Sequence, residues 1–362
     1  MTPTIDQVYD LTPAAPLPAT TRGCASRHRP GLSYCLVLVL LPLLAIPALI
    51  RLGSSDFFLH HGASVWAQAN DKVFDSHGRT CDVVIYGDST AMTGINPDRV
   101  EEQTGFKTCN ISVTNAVLTV TGNLTLEHFL AQNGTPRVLL IQLSPEDLLE
   151  QNRAWNQTVD AEGVLELLRH GRPGEARRVL TTHPAAAISF AGYAAGYTAW
   201  YAIKDVWFHL TNLRSEEDTV IVRNGFFTPP APARTTCVPG DPVLAQPDSQ
   251  RLGDPRAVVA DYRQRYAVRT GIVLVNVAPI PDCDGNLAAY SAQLNGVTSN
   301  SLLAMPVRYF NNCCHYTARG SEIVSTLVAG ELNTVADHNP AIDDRNPTTR
   351  QIAGVRPVNL RR

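Results

Sequence analysis

Residues 82–95 read DVVIYGDSTAMTGI, an apolar run that breaks into Gly-Asp-Ser and resumes with small residues. A short apolar run without polar alternation is the pattern of a strand covered on both faces, as in a parallel sheet flanked by helices. Gly87 permits a close turn at its end, and the Asp88 side chain can organise that turn by bonding nearby backbone. Ser89 therefore falls at the carboxyl end of a strand, the edge at which open α/β sheets hold ligands. Gly-Asp-Ser is also a common turn composition, so the reading depends on what else the chain brings to that edge.

Outward from this stretch, TCNISV (108–113), RVLLIQLSP (137–145) and IVLVNVAPIP (272–281) read as further buried strands, and VRYF (307–310) as a short last one. Helices are expected at 121–133, with Thr121 or Asn123 as cap, at 254–271 and at SEIVSTLVAGEL (321–332). This strand–helix alternation predicts an α/β fold, a doubly wound α/β/α sandwich with a mostly parallel sheet, over residues 78–332. Residues 150–250 break the rhythm and read as an insertion near the sheet's carboxyl edge. Within it, the aromatic-alanine run from 185 is a packed helix or a surface resting near a bilayer.

GLSYCLVLVLLPLLAIPALI (31–50) carries no charge over about 30 Å of helix, the thickness of a bilayer core. Arg22, Arg27 and Arg29 precede it and Arg51 follows. The positive-inside bias keeps residues 1–30 as a cytoplasmic tail, makes 31–51 one transmembrane helix of the inner membrane, and exports the rest. A cleaved signal peptide is the rival reading, but the run exceeds the usual apolar core of about 7–15 residues and no A-x-A site follows immediately. Residues 52–77 form a juxtamembrane segment and 333–362 a loosely ordered tail. With charged residues at 17% and a net charge of −3, no basic cluster fits nucleic acid.

Cys81, Cys109, Cys237, Cys283, Cys313 and Cys314 lie beyond the span, compatible with three disulfides in an oxidising compartment. Cys81 and Cys109 each begin a strand-like run, so a bridge between them is expected; Cys283 with Cys313 or Cys314 would tie two loops. Cys283, Cys313, Cys314 and His315 with Asp282 or Asp284 also invite zinc, but an exported chain oxidises such thiols and adjacent cysteines poorly share one ion. No metal is expected. Glycine-rich nucleotide loops are lacking, so no cofactor is expected either.

A serine hydroxyl acts as a nucleophile only beside a base. Of ten histidines, His315 has the best setting: it follows a short apolar run and precedes Thr317, which can cap the next helix. His60, His61 and His209 lie near the span or in the insertion.

GDST (87–90) together with N-x-x-H-x-x-x-x-G (312–320) resembles the SGNH/GDSL hydrolase superfamily, closest to membrane-anchored, exported bacterial members that esterify or de-esterify surface polysaccharides. The resemblance implies Ser89 as nucleophile, its backbone N–H as an oxyanion donor and His315 as base. Asn312 stands where the superfamily has Asp, three residues before the histidine. It can orient the imidazole but carries no charge to favour the imidazolium; Asp282 or Asp284 is the alternative acid. Ser144 and Glu146 stand where the superfamily places Gly and Asn, leaving Asp88, Asn115, Gly122 and Asn123 as candidates for oxyanion or site support. The expectation is a serine esterase or O-acyltransferase whose partners are an acylated carbohydrate, the bilayer through residues 31–50, and membrane-associated polysaccharide machinery. The alternative is a weak or inactive relative that binds or assembles within a surface-polysaccharide system.

Overall fold

The computed structural model describes residues 30–61, 64–74, 76–149, 159–182, 184–211, 225–226, 228, 236–237, 253–311 and 314–339. The expected cytoplasmic tail up to residue 29, Asn312, Cys313 and residues 340–362 lie outside them. The chain divides into two units, Met1–Leu44 and Ala45–Arg362. The described part of the first belongs to helix α1 (Pro30–Gly53), whose Leu36–Gly53 stretch has a mean hydropathy of 2.4 and is long and apolar enough to cross a membrane. Its Leu38, Val39, Leu41 and Leu44 are exposed.

The second unit begins with the end of α1 and two short helices, α2 (Asp56–His61) and α3 (Val65–Phe74). Then come β1 (Val83–Gly87), α4 (Ser89–Gly94), α5 (Pro97–Thr104), β2 (Thr108–Asn110), α6 (Asn115–Thr121), α7 (Leu124–Gln132) and β3 (Val138–Leu143). After α8 (Pro145–Leu149), the expected insertion contributes α9 (Val159–Arg169), α10 (Pro173–Thr182) and α11 (Pro184–Thr211). The chain closes with α12 (Pro255–Tyr266), β4 (Ile272–Val277), β5 (Ile280–Pro281), α13 (Leu287–Leu294), β6 (Ala304–Met305) and α14 (Ala318–His338).

The fold is mixed α/β, with four parallel strands ordered β2-β1-β3-β4. Every residue of β1 and β3 is buried, as the unbroken apolar runs require. Side chains alternate across a strand. Val84 and Tyr86 accordingly pack in one core with Leu139, Ile141 and Val275, while Val83 and Ile85 pack in another with Leu140, Leu274 and α14's Val324 and Val328. From β1 the chain goes to β2 on one side and to β3 on the other. The strand order thus reverses beside β1, and the crevice at its carboxyl end is a natural place for a site.

Two expectations meet a different structure. VRYF is not a strand: Pro306 leads into a 3-10 turn at Val307–Tyr309, and the nearby strand is β6, paired with β5. Cys283 bonds Cys237 rather than Cys313 or Cys314, whereas the expected Cys81–Cys109 bridge is present and ties the starts of β1 and β2. In the juxtamembrane segment, Asn70 of α3 donates to Thr114 Oγ1 and accepts from Thr114 N, fastening α3 to the loop after β2. At the other end, α14 continues past residue 332 to His338.

Candidate active site

The turn after β1 is built for close approach. A Cβ on Gly87 would lie 1.8 Å from the Gln142 carbonyl oxygen of β3, so only glycine fits. Asp88 then caps α4: its Oδ1 accepts from Thr90 N at 2.7 Å and from the Thr90 hydroxyl. Its Oδ2 accepts from Ser144 N, at the end of β3, at 2.6 Å. Asp88 thereby joins two adjacent strand ends and fixes Ser89 as the first residue of α4. The far end of α4 is held by Asn110, whose Nδ2 donates to the Ala91 and Ile95 carbonyls. That amide, one of the chain's N-x-[ST] asparagines, is committed to the interior.

His315 arrives on a short folded-back loop. Phe310 and Tyr316 form an antiparallel bridge, Asn311 N donates to the His315 carbonyl at 3.0 Å, and the buried Tyr316 hydroxyl donates to the Pro279 carbonyl at 2.8 Å. Thr317 caps α14 by accepting from Gly320 N. Gly320 lies so close to the Tyr309 carbonyl that an added Cβ would sit 2.2 Å from it. The glycine of the N-x-x-H-x-x-x-x-G pattern is therefore a packing requirement of the histidine loop. His315 Nε2 lies 2.9 Å from Ser89 Oγ, a hydrogen bond across 226 positions of chain.

Burial pushes the imidazole down to about 4, and the opposing influence is the Asp88 carboxylate, which raises it. At neutral pH the ring is uncharged and, with its proton on Nδ1, Nε2 can accept the serine proton. Trp66 of α3 lies over His315 with ring centroids 4.9 Å apart, supplying part of the apolar wall.

The other candidates separate. Asn115 donates through Nδ2 to Asp147 Oδ1. Gly122 spends its N–H on the Leu118 carbonyl and its own carbonyl on the Tyr86 hydroxyl, and Asn123 Oδ1 accepts from Tyr262. Asp284 caps a turn by accepting from Asn286 N, and Asp282 is exposed. The carboxylate whose charge reaches His315 is Asp88, one residue from the nucleophile position.

Asp147 and Trp66 belong to this neighbourhood although sequence reading passed over both. Asp147 Oδ2 is buried with no protein donor among the described residues, and its neighbour is the Asp88 carboxylate. Burial first, then Asp88 by charge and hydrogen bonding, then Glu146, hold the Asp147 carboxyl well above its ordinary range, against a smaller opposing effect of Ser144. Two carboxyl groups in contact keep one proton between them. Asp88 already accepts from three donors, and Asp147 is the carboxyl that holds its proton more tightly than usual. The signal for Asp147 was its place two residues after a strand end's Pro145; nothing local marks Trp66, which is brought in by packing alone.

No family model, curated protein or solved structure matches this chain.

Proposed function

We propose that this protein is a membrane-anchored serine esterase or O-acyltransferase of the SGNH/GDSL type, built as a doubly wound α/β/α sandwich. Its site is extracytoplasmic, and its substrate class is an acylated cell-envelope or exported polysaccharide. The observation that carries the reading is the 2.9 Å hydrogen bond between Ser89 Oγ and His315 Nε2 at the carboxyl end of β1. Substrate class and compartment rest on the resemblance and on α1, a weaker warrant than the pair itself.

In this mechanism Ser89 Oγ attacks the ester carbonyl carbon as its proton passes to His315 Nε2. The carbonyl π electrons move to the oxygen, and the resulting oxyanion is met by the Ser89 N–H at the start of α4. Collapse breaks the bond to the leaving alkoxide, which takes the proton from His315, leaving an acyl-serine. Water or a sugar hydroxyl then repeats the sequence in reverse. Desolvated by Trp66 and neighbouring groups, the neutral imidazole is ready to accept a proton at pH 7.

A second reading, a binding or assembly protein of a surface-polysaccharide system, draws on one observation. An imidazole pushed down to about 4, with Asn312 in the usual Asp position, is a weak base. A serine-directed fluorophosphonate and an activated acetyl ester decide between them. Labelling mapped to Ser89, absent in Ser89→Ala, together with ester turnover, supports the enzyme. Absence of label, burst and turnover in the intact chain supports the binding protein.

A further inference from the structure

Helix α11 is apolar on two faces. Its inner side is buried through Phe190, Ala194 and Tyr197 in a core shared with α2 and α9. Its outer side carries Ile188, Trp200, Ile203, Val206, Trp207 and Leu210, each between 58% and 81% exposed. At 3.6 residues per turn these six fall within an arc of about 120°. A helix facing water places its charges outward, but here the reverse holds: Lys204 and Asp205 are half-buried while the tryptophans are bare. Single exposed apolar residues are ordinary; a contiguous stripe marks a surface that meets something.

What it meets follows from where α11 touches the rest of the chain. Gly53, the last residue of α1, packs against Thr198 so closely that an added Cβ would lie 2.2 Å from Thr198 Oγ1. The Gly53 carbonyl also accepts from Arg169 Nη2 of α9. The apolar window of α1 ends at this same Gly53, so Thr198 lies at the level where that helix leaves a bilayer. Leu210, twelve positions on, is within about 18 Å along the helix. Phe57, four positions beyond Gly53, is bare as well. Trp is the residue type that prefers the headgroup boundary, where the ring is apolar and its N–H stays wet.

We propose that the outward face of α11, from Ile188 to Leu210, lies in the interfacial layer of the bilayer that α1 enters. The helix lies on the membrane and does not span it, adding a second attachment to the anchor. The proposal rests on α1 being a span but is independent of any chemistry at Ser89.

The test uses the full chain reconstituted in phosphatidylcholine–phosphatidylglycerol vesicles with and without acyl-chain bromine, comparing the natural protein with Trp200→Phe/Trp207→Phe. The chain has four tryptophans. Bromolipid is expected to quench its fluorescence, with the lipid-dependent part falling about two-fold or more in the double variant, as interfacial indoles require. Equal quenching in both proteins, with aqueous acrylamide reaching Trp200 and Trp207, would place the face in water and overturn the proposal. Shielding from both quenchers with crosslinking that grows with protein density would make a second copy the occupant and overturn it equally. Alkaline carbonate extraction separates the underlying premise: release of the chain from the vesicles removes the span and with it this proposal, whereas retention with unquenched indoles removes the proposal alone.

Discussion

Two buried acidic clusters in this molecule are solved in opposite ways. Among α3 and α9, Glu166 is met by the Arg169 guanidinium and by His170 Nε2 at 2.9 Å, with Asp71 3.6 Å from the same nitrogen and Phe74 stacked on the ring. Three groups with metal-ligand chemistry converge there, yet a cation already belongs to the set. Beside Ser89, Asp88 and Asp147 meet with amides and hydroxyls around them, and burial and Asp88 hold the Asp147 carboxyl well above its ordinary range. A network built around a cation holds a fold together, with Arg169 also opposing the burial and the Glu166 charge that push neighbouring Glu162 up to about 7. One in which a carboxyl is pushed up by its neighbour, next to a hydroxyl and a neutral imidazole, is the arrangement found where chemistry is done.

The comparison breaks most readily at the serine. Ser89→Ala or His315→Ala is expected to lower ester turnover by about 10⁴-fold or more, since such residues act as a unit, with little change in thermal midpoint. A loss of folding instead of turnover would make the Ser89 edge as structural as the other. Arg169→Met provides the opposite case: it strands Glu166 in the interior and should cost about 3–5 kcal/mol in denaturant unfolding, with catalysis retained in whatever remains folded.

A smaller effect sharpens the contrast. Asp147→Asn keeps an acceptor for Asn115 and supplies a neutral donor to Asp88, so its stability should stay within about 1 kcal/mol of the natural chain. Its pH dependence is the more telling measurement. The Asp147 carboxyl is raised on folding, so the folded state binds that proton more tightly than the unfolded chain does. Its contribution to stability is present at low pH and is lost as pH rises above the ordinary carboxylate value through the folded one. The variant should lose that portion of the slope in unfolding curves taken at successive pH values.

The smallest expected change is in the acid limb of the rate profile. With His315 pushed down to about 4, kcat/KM should stay level on falling pH until the imidazole protonates near that value. The same shift has a sign for stability: the unfolded chain protonates His315 first, so stability falls as pH drops from about 6.5 towards 4. Asn312→Asp should move the limb upward by about one pH unit if a carboxylate there reaches the ring. An unmoved limb would show that Asp88 alone sets the base.

Much of the frame was legible. The apolar runs of β1, β3 and β4 are long and unbroken, and a buried parallel strand leaves few other ways to read them. Ser89 was placed correctly at a strand end, whereas His315 was reached from VRYF, which is no strand, and comes to the same edge on the Phe310–Tyr316 loop. VRYF misled because alternation over four residues is too short to outweigh Pro306 and the turn it sets. Six cysteines admit fifteen pairings, and only tertiary distance selects Cys237 for Cys283. Trp66 and Asp147 act through contacts made by packing, which no local pattern announces. Asn312 lies outside the described residues, so its part in the site is a matter for mutation.

Gly53 and Trp66 are thirteen positions apart, and the second of them touches the imidazole. Even drawn straight, that length of chain reaches only about 45 Å, and α2 and part of α3 shorten it. With α1 embedded, the Ser–His pair works on a short tether. If the proposed anchor and polymer substrate are right, only polymer within that distance of the membrane surface can be processed.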